Sequence, residues 1–151
     1  MKRKETFRRA LRGALLMLTL MLTLMWCSAL SAAASATFYG LTVELPDGWS
    51  VKRGEQVVIY NENEKNAAVI VDELAHGSAR AVAEALAGAV GVDKENIRSD
   101  GRGALELDFV QNGEPVGARV LQKDEGVLMI YSIGESDEAR QIARSLGTGK
   151  K

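Results

Sequence analysis

Residues 104–133 constrain the fold more than any other part of the chain. Leu105, Leu107 and Phe109 alternate with Glu106 and Asp108, the period-two pattern of a strand with one buried and one wet face. Asn112-Gly113 follows, a pair that tolerates positive φ at both central positions of a type I′ hairpin turn. Val116, Ala118 and Val120 make the return, Asp124-Glu125-Gly126 turns again, and Val127 to Ile133 closes the series. That last strand is apolar on both faces, with Val127, Met129, Tyr131 and Ile133 on one and Leu128 and Ile130 on the other. A strand of this kind has to be covered from both sides, which predicts a central place in a sheet.

The beginning of the chain reads differently. Lys2, Arg3, Lys4, Arg8, Arg9 and Arg12 precede an uncharged Leu/Met-rich run from Ala14 to Cys27 and a small-residue tract from Ser28 to Ala36. A basic start, an apolar middle and small residues at a cleavage site are the parts of a secretory signal peptide. Ala34-Ser35-Ala36 is the best cleavage site and would leave Thr37 first, with Ala32-Ala33-Ala34 as the second choice. The expected division is therefore a signal peptide over 1–36 and one domain over 37–151. Retention as an anchor through 14–36 is the alternative, although a spanning helix wants about 20 apolar residues. Lipidation at Cys27 is disfavoured by Trp26 before it, and a twin-arginine signal at Arg8-Arg9 is interrupted by Arg12. The predicted destination is periplasmic or secreted.

Of the 19 basic and 20 acidic side chains, 6 and 1 fall in residues 1–36, leaving 13 and 19 in residues 37–151, a net of −6. A mildly acidic domain lacks the basic footprint that nucleic acid or anionic lipid requires. The single cysteine, Cys27, lies in the leader, so the domain has no disulfide, thiol nucleophile or cysteine metal site. At this length a core alone can hold it together, burying roughly 65% of the unfolded surface.

Phe38, Leu41, Val43 and Leu45 read as an opening strand that Gly40 interrupts and Pro46-Asp47-Gly48 ends. Trp49 and Val51 follow with the polar Lys52-Arg53-Gly54-Glu55, and strands are expected at Val57–Tyr60 and Ala67–Leu74, the last apolar on both faces through Val69, Ile70 and Val71. Ser78 caps a first helix whose Ala79, Val82, Ala83, Leu86 and Val90 form one apolar stripe, with Gly91 at its end. Asp93 to Asp100 is a polar connector in which Ile97 marks a short edge strand. Ser136 caps a second helix with Asp137 and Glu138 in its first turn and a stripe of Ala139, Ile142, Ala143 and Leu146. The predicted fold class is α+β, one antiparallel sheet of about six to seven strands with two helices packed on it.

The run from Phe38 through Leu45-Pro46-Asp47-Gly48-Trp49 resembles the start of the PsbP/DcrB-like family, in which an opening strand enters a Pro-x-Gly-Trp-type turn. Later parts agree in order: a strand pair, a helix, a strand beginning near Gly103-Ala104-Leu105, a hairpin meander and a helix ending in Ser145-Leu146. The resemblance implies an antiparallel sheet with packed helices in a small extracytoplasmic protein. Some members are lipoproteins, a feature from which Trp26 departs, and others are extrinsic subunits of membrane complexes. The family has no shared catalytic motif to carry over.

The chemistry-bearing residues offer little. His76 is the only histidine and precedes the Ser78 cap in a turn, while Asp72 and Glu73 before it point to opposite faces of a strand. No second histidine or cysteine is available for zinc. From Asn61, the sixth and twelfth positions of a calcium loop would be Asn66 and Asp72, where Gly and Glu are wanted. The acid pairs Asp93/Glu95, Asp124/Glu125 and Glu135/Asp137/Glu138 sit in loops or at a helix start. No Gly-x-Ser-x-Gly elbow or phosphate loop occurs, and Gly101-Arg102-Gly103 lacks a following helix. No catalytic, metal or cofactor-binding residue is assigned. Trp49, Tyr39 and Tyr60 remain as candidates for interaction, since aromatic side chains at the end of a sheet can anchor a partner. For Trp49 the competing reading is a plug for the end of the core.

The function expected from these features is that of an exported, non-enzymatic binding or accessory module, its partner a protein of the envelope or extracytoplasmic space. A small-ligand carrier with a cleft between sheet and helix is the alternative, and a small hydrolase built on Asp, Glu and His76 the third.

Overall fold

A computed structural model describes residues 35–147 of the chain. Residues 1–34, with Cys27 and most of the expected signal peptide, lie outside the described residues. Ser35 and Ala36 are the first residues of a strand, paired with Glu44 and Val43.

Among the described residues nine strands and two helices follow one another as β1 (Ser35–Phe38), β2 (Leu41–Glu44), β3 (Trp49–Arg53), β4 (Val57–Asn61), β5 (Ala68–Leu74), α1 (Ala79–Val90), β6 (Arg98–Ser99), β7 (Ala104–Gln111), β8 (Glu114–Gln122), β9 (Val127–Ile133) and α2 (Asp137–Ser145). Strands β3 to β9 form one seven-stranded antiparallel sheet in the order β3-β4-β5-β9-β8-β7-β6. The α+β class and the strand number agree with the sequence. β9 stands fourth of seven and is buried along its whole length, as its two apolar faces require. Asn112 and Gly113, at φ 53° and 81°, form the two-residue turn between β7 and β8.

The opening segment departs from expectation. In place of one strand through Phe38 and Leu45, the chain turns back at Tyr39-Gly40, with φ of 49° and 74°, and makes the separate β1-β2 hairpin. Gly40 marks the turn. Tyr39 is the unusual member, because a side chain at positive φ is disfavoured unless its surroundings hold it there. Here the Lys123 ammonium donates to the Tyr39 carbonyl at 2.8 Å, and the Tyr39 ring meets Phe38 edge to face.

The sheet is the middle of three layers. On one face Val58, Ile70, Leu107, Val116, Ala118, Val120, Met129 and Tyr131 pack with Val82, Ala83, Leu86 and Ala87 of α1. On the other, Trp49, Ile59, Val69, Val71, Leu128 and Ile130 pack with Ala139, Ile142, Ala143 and Leu146 of α2 and with Phe38 and Val43 of the hairpin. The two helices thus take opposite faces, and each uses the stripe that its helical period predicts.

Both helices begin at serine caps. Ser78 Oγ accepts from the Ala81 N–H at 3.4 Å, and Ser136 Oγ accepts from the Ala139 N–H at 3.2 Å. The second helix has only nine residues, so its first turn depends on that cap. Ser136→Ala is expected to lower unfolding free energy by about 1 kcal/mol, and Ser136→Asp to be close to neutral. Urea unfolding of the two variants measures the difference.

Candidate functional site: a cleft beside the second helix

Period two sends the side chains of β8 alternately to the two layers. Val116, Ala118 and Val120 face α1, so Gly117 and Arg119 face the α2 side. The cross-strand partners of Gly117 and Arg119 on β7 are Asp108 and Glu106. The partner of Gly117 on β9 is Ser132. α2 lies over the β5–β9 part of this face and leaves the β7–β8 part open. The result is a hollow of about 450 Å³ between α2 and the outer strands, bordered by Arg98, Asp108, Gly117, Ser132, Arg140 and Arg144.

Its floor is lowered at Gly117. A Cβ there would stand 2.8 Å from Ser132 Oγ and 3.3 Å from Asp108 Oδ1. Ser132 Oγ lies over the strand and donates to the Gly117 carbonyl at 3.3 Å.

Arg119 holds the inner wall. It is 6% exposed, and every branch of its guanidinium is engaged. Nε donates to Glu106 at 3.0 Å and Nη2 to Asp100 at 2.8 Å. Nη1 donates to the carbonyls of Ala143, Arg144 and Leu146 at 2.8, 3.2 and 3.1 Å. These carbonyls belong to the last turn of α2, where acceptors lack partners within the helix and a cation is favoured. One side chain therefore fastens the end of α2 to β7, β8 and the loop after β6. With its donors committed, Arg119 shapes the cleft and leaves ligand contact to others.

Asp100 anchors the far end of this network. Burial raises its pKa, but the Arg102 and Ala104 N–H groups and the Arg119 guanidinium outweigh it and hold the carboxyl below the usual aspartate range. A folded-state pKa below the unfolded one gives stability that is present above the ordinary aspartate value and is lost as pH falls through the lower, folded value. Asp100→Asn is expected to flatten the fall of unfolding free energy below about pH 4. Thermal unfolding between pH 2 and 5 (a range set by ~pKa 3.9 for free aspartate) compares the two proteins.

The charges at the rim are mostly paired. Arg98 bridges to Asp108 and Arg140 lies 3.8 Å from Asp137. Among the described residues, Arg144 alone of the charged side chains around the cleft has no oppositely charged partner.

None of the aromatic candidates lines this hollow. Trp49 is 2% exposed, packed among the α2-side core, with its indole N–H donating to Glu138 at 2.7 Å. This is the position of a core plug, with no ring face open to solvent. Tyr39 is half-buried at the tip of the β1-β2 hairpin, and burial with the nearby Asp72 and Glu73 carboxylates raises its phenol pKa. Tyr60 is half-buried on β4 beside the α1-side core, on the opposite face of the sheet from Trp49 and Tyr39. The three do not come together.

His76 is a surface residue 3.8 Å from Glu125. No three His, Cys, Asp or Glu side chains cluster for a metal ion among the described residues. Arg119 was not singled out by sequence reasoning. Alternation with Ala118 and Val120 puts it on the face opposite the apolar residues, and its burial follows only from the sheet order that sets α2 over that face.

Neither a family model nor a curated protein matches the chain. Among solved structures it is similar to a crystal structure from Bacteroides thetaiotaomicron, with 10% identity and a TM-score of 0.48 over 74% of this chain and 46% of that one. The described chain thus spans about half the length of that protein. It is also similar to the solution structure of a cyanobacterial PsbP, CyanoP of Synechocystis, with 13% identity and a TM-score of 0.43 over 82% of this chain and 98% of that one. PsbP is the family that the opening strand and turn resemble. Among the described residues no helix is long and apolar enough to cross a membrane.

Proposed function

We propose that this protein is an exported, non-enzymatic accessory module of the cell envelope that binds a partner protein through the cleft beside α2. The observation that carries the reading is the cleft itself, an arginine-bordered hollow on a domain whose net charge over 37–151 is −6. Arg144, which has no oppositely charged partner among the described residues, offers the rim's unbalanced cation, and this favours an acidic group on the partner and orients its approach. The basic, apolar and small-residue parts of the leader support export, with residue 37 as the first of the mature chain and an anchor through 14–36 as the alternative. A small-ligand carrier would want an enclosed apolar pocket, whereas this hollow is bordered by charged side chains, which favours a segment of a macromolecule.

The test is crosslinking in intact cells from a photo-reactive amino acid at Arg140, on the cleft rim, with the same group at the exposed Lys52 of β3 as control. A discrete crosslinked protein from the Arg140 position, in the extracytoplasmic fraction, is the expected result. Equal products from both positions, or none when the protein is abundant, would overturn the reading.

A further inference from the structure

β7 forms the outer part of the sheet, and β6 covers only its beginning. Arg98 and Ser99 pair with Glu106 and Leu105, after which β7 runs on to Gln111 with no strand of the described residues on its outer side. The hydrogen-bonding phase of this open stretch can be read from its turn. Pro115, opposite Val110, has no N–H, and its carbonyl accepts from Gly134 on the β9 side at 2.9 Å. The Val110–Pro115 pair is therefore the non-hydrogen-bonded kind, and the N–H and C=O of Val110 both face away from β8. Alternation gives Asp108 the same orientation. It gives it also to Glu106, the residue where β6 attaches. Two residues, Asp108 and Val110, thus present four main-chain groups along an open edge.

An open edge of this kind is a template for another strand unless something blunts it. On the opposite border of the sheet, β3 carries Lys52 and Arg53. On β7 the side chain nearest the end of the edge is Val110, 70% exposed and the one large apolar side chain so exposed among the described residues. Hollows flank the edge on both sides. The α2-side cleft and a second space of about 800 Å³, bordered by the 91–96 loop, share Arg98 and Asp108.

We propose that the outer edge of β7, from Asp108 to Val110, takes an extended segment of the partner protein as an added strand, with acidic side chains of that segment turned toward Arg140 and Arg144. This deepens the reading of the cleft as a partner site and rests on it. Main-chain pairing supplies the affinity and alternate side chains the specificity, as in strand addition generally. Charge selects the occupant. Asp108 and Glu106 are already neutralised by Arg98 and Arg119, whereas Arg144 lacks a counter-charge among the described residues. An acid on the cleft face of the added strand would supply it.

The test uses the protein purified from its cell and two synthetic peptides, one alternating valine with glutamate and one alternating valine with lysine. Amide exchange at Asp108 and Val110 is expected to slow about tenfold or more with the glutamate peptide. The lysine peptide should leave it unchanged, and Arg144→Glu should reverse the preference. Val110→Pro removes an outward N–H and no bond to β8, a substitution that edge strands tolerate. It is expected to abolish the protection while keeping the unfolding midpoint close to that of the parent. No slowing with either peptide, equal slowing with both, or protection arising from self-association without peptide would overturn the proposal. Crosslinking from Arg140 that persists undiminished in Val110→Pro would overturn strand addition alone and leave the partner reading standing.

Discussion

Replacing Arg119 by alanine is expected to lower unfolding free energy by about 3–5 kcal/mol, the cost of breaking a buried ion pair from one side. The substitution strands Asp100 and Glu106, whose side chains are 13% and 24% exposed, and uncovers three helix-end carbonyls at once. Lysine should rescue little, since a single ammonium cannot reach acceptors on β7, on the 100–104 loop and on α2 together, as the planar fork does. Removing the whole charged set is a different experiment. Arg119→Met with Glu106→Leu and Asp100→Asn leaves no uncompensated charge, and its cost should be much smaller than that of Arg119→Ala. Urea unfolding of the three variants reads both comparisons. A single-variant loss under about 1 kcal/mol would mean that solvent already reaches the pair, as it does for surface bridges.

The second large effect is expected at Trp49. Trp49→Ala should cost about 3–5 kcal/mol, the range for truncating a buried large aromatic ring. The side chain is 2% exposed and joins β3 to α2 through both its packing and its bond to Glu138. Trp49→Phe separates the two contributions. It keeps most of the volume and removes only the N–H, whose acceptor Glu138 is exposed and can return to water, so about 0.5–1.5 kcal/mol should be lost. If Trp49→Ala instead unfolded at the parental midpoint while binding of a partner was lost, the ring would belong to an interface rather than to the core.

The parts of this fold that were readable in the sequence are those where one physical requirement acts alone. Alternation in Leu105–Phe109, the Asn112-Gly113 turn and the two-faced apolarity of Val127–Ile133 each permit a single local answer, and the sheet follows them. The serine caps and the Ala79–Val90 and Ala139–Leu146 stripes are equally local. The β1-β2 hairpin was not readable, because its turn places Tyr39 where Asn, Asp or Gly is the usual signal. The cleft was less readable still. It joins residues from β6, β7, β8, β9 and α2, and its organising side chain, Arg119, looks like an ordinary wet-face residue until the sheet order sets α2 above it. Trp49 could be read either way, since a turn-adjacent aromatic suits a plug and an anchor alike, and only the location of α2 decides its surroundings.

The middle of the sheet joins distant parts of the chain, with Leu74 against Val127 and Ala68 against Ile133, while α1 and β6 to β8 are spelled out in between. A ribosome adding about 5–20 residues per second therefore leaves β5, greasy on both sides, without its companion for roughly 3–13 s. Through that interval the nascent chain carries half of its eventual centre unclaimed. A holding chaperone has most to do for this protein between the emergence of Leu74 and that of Val127.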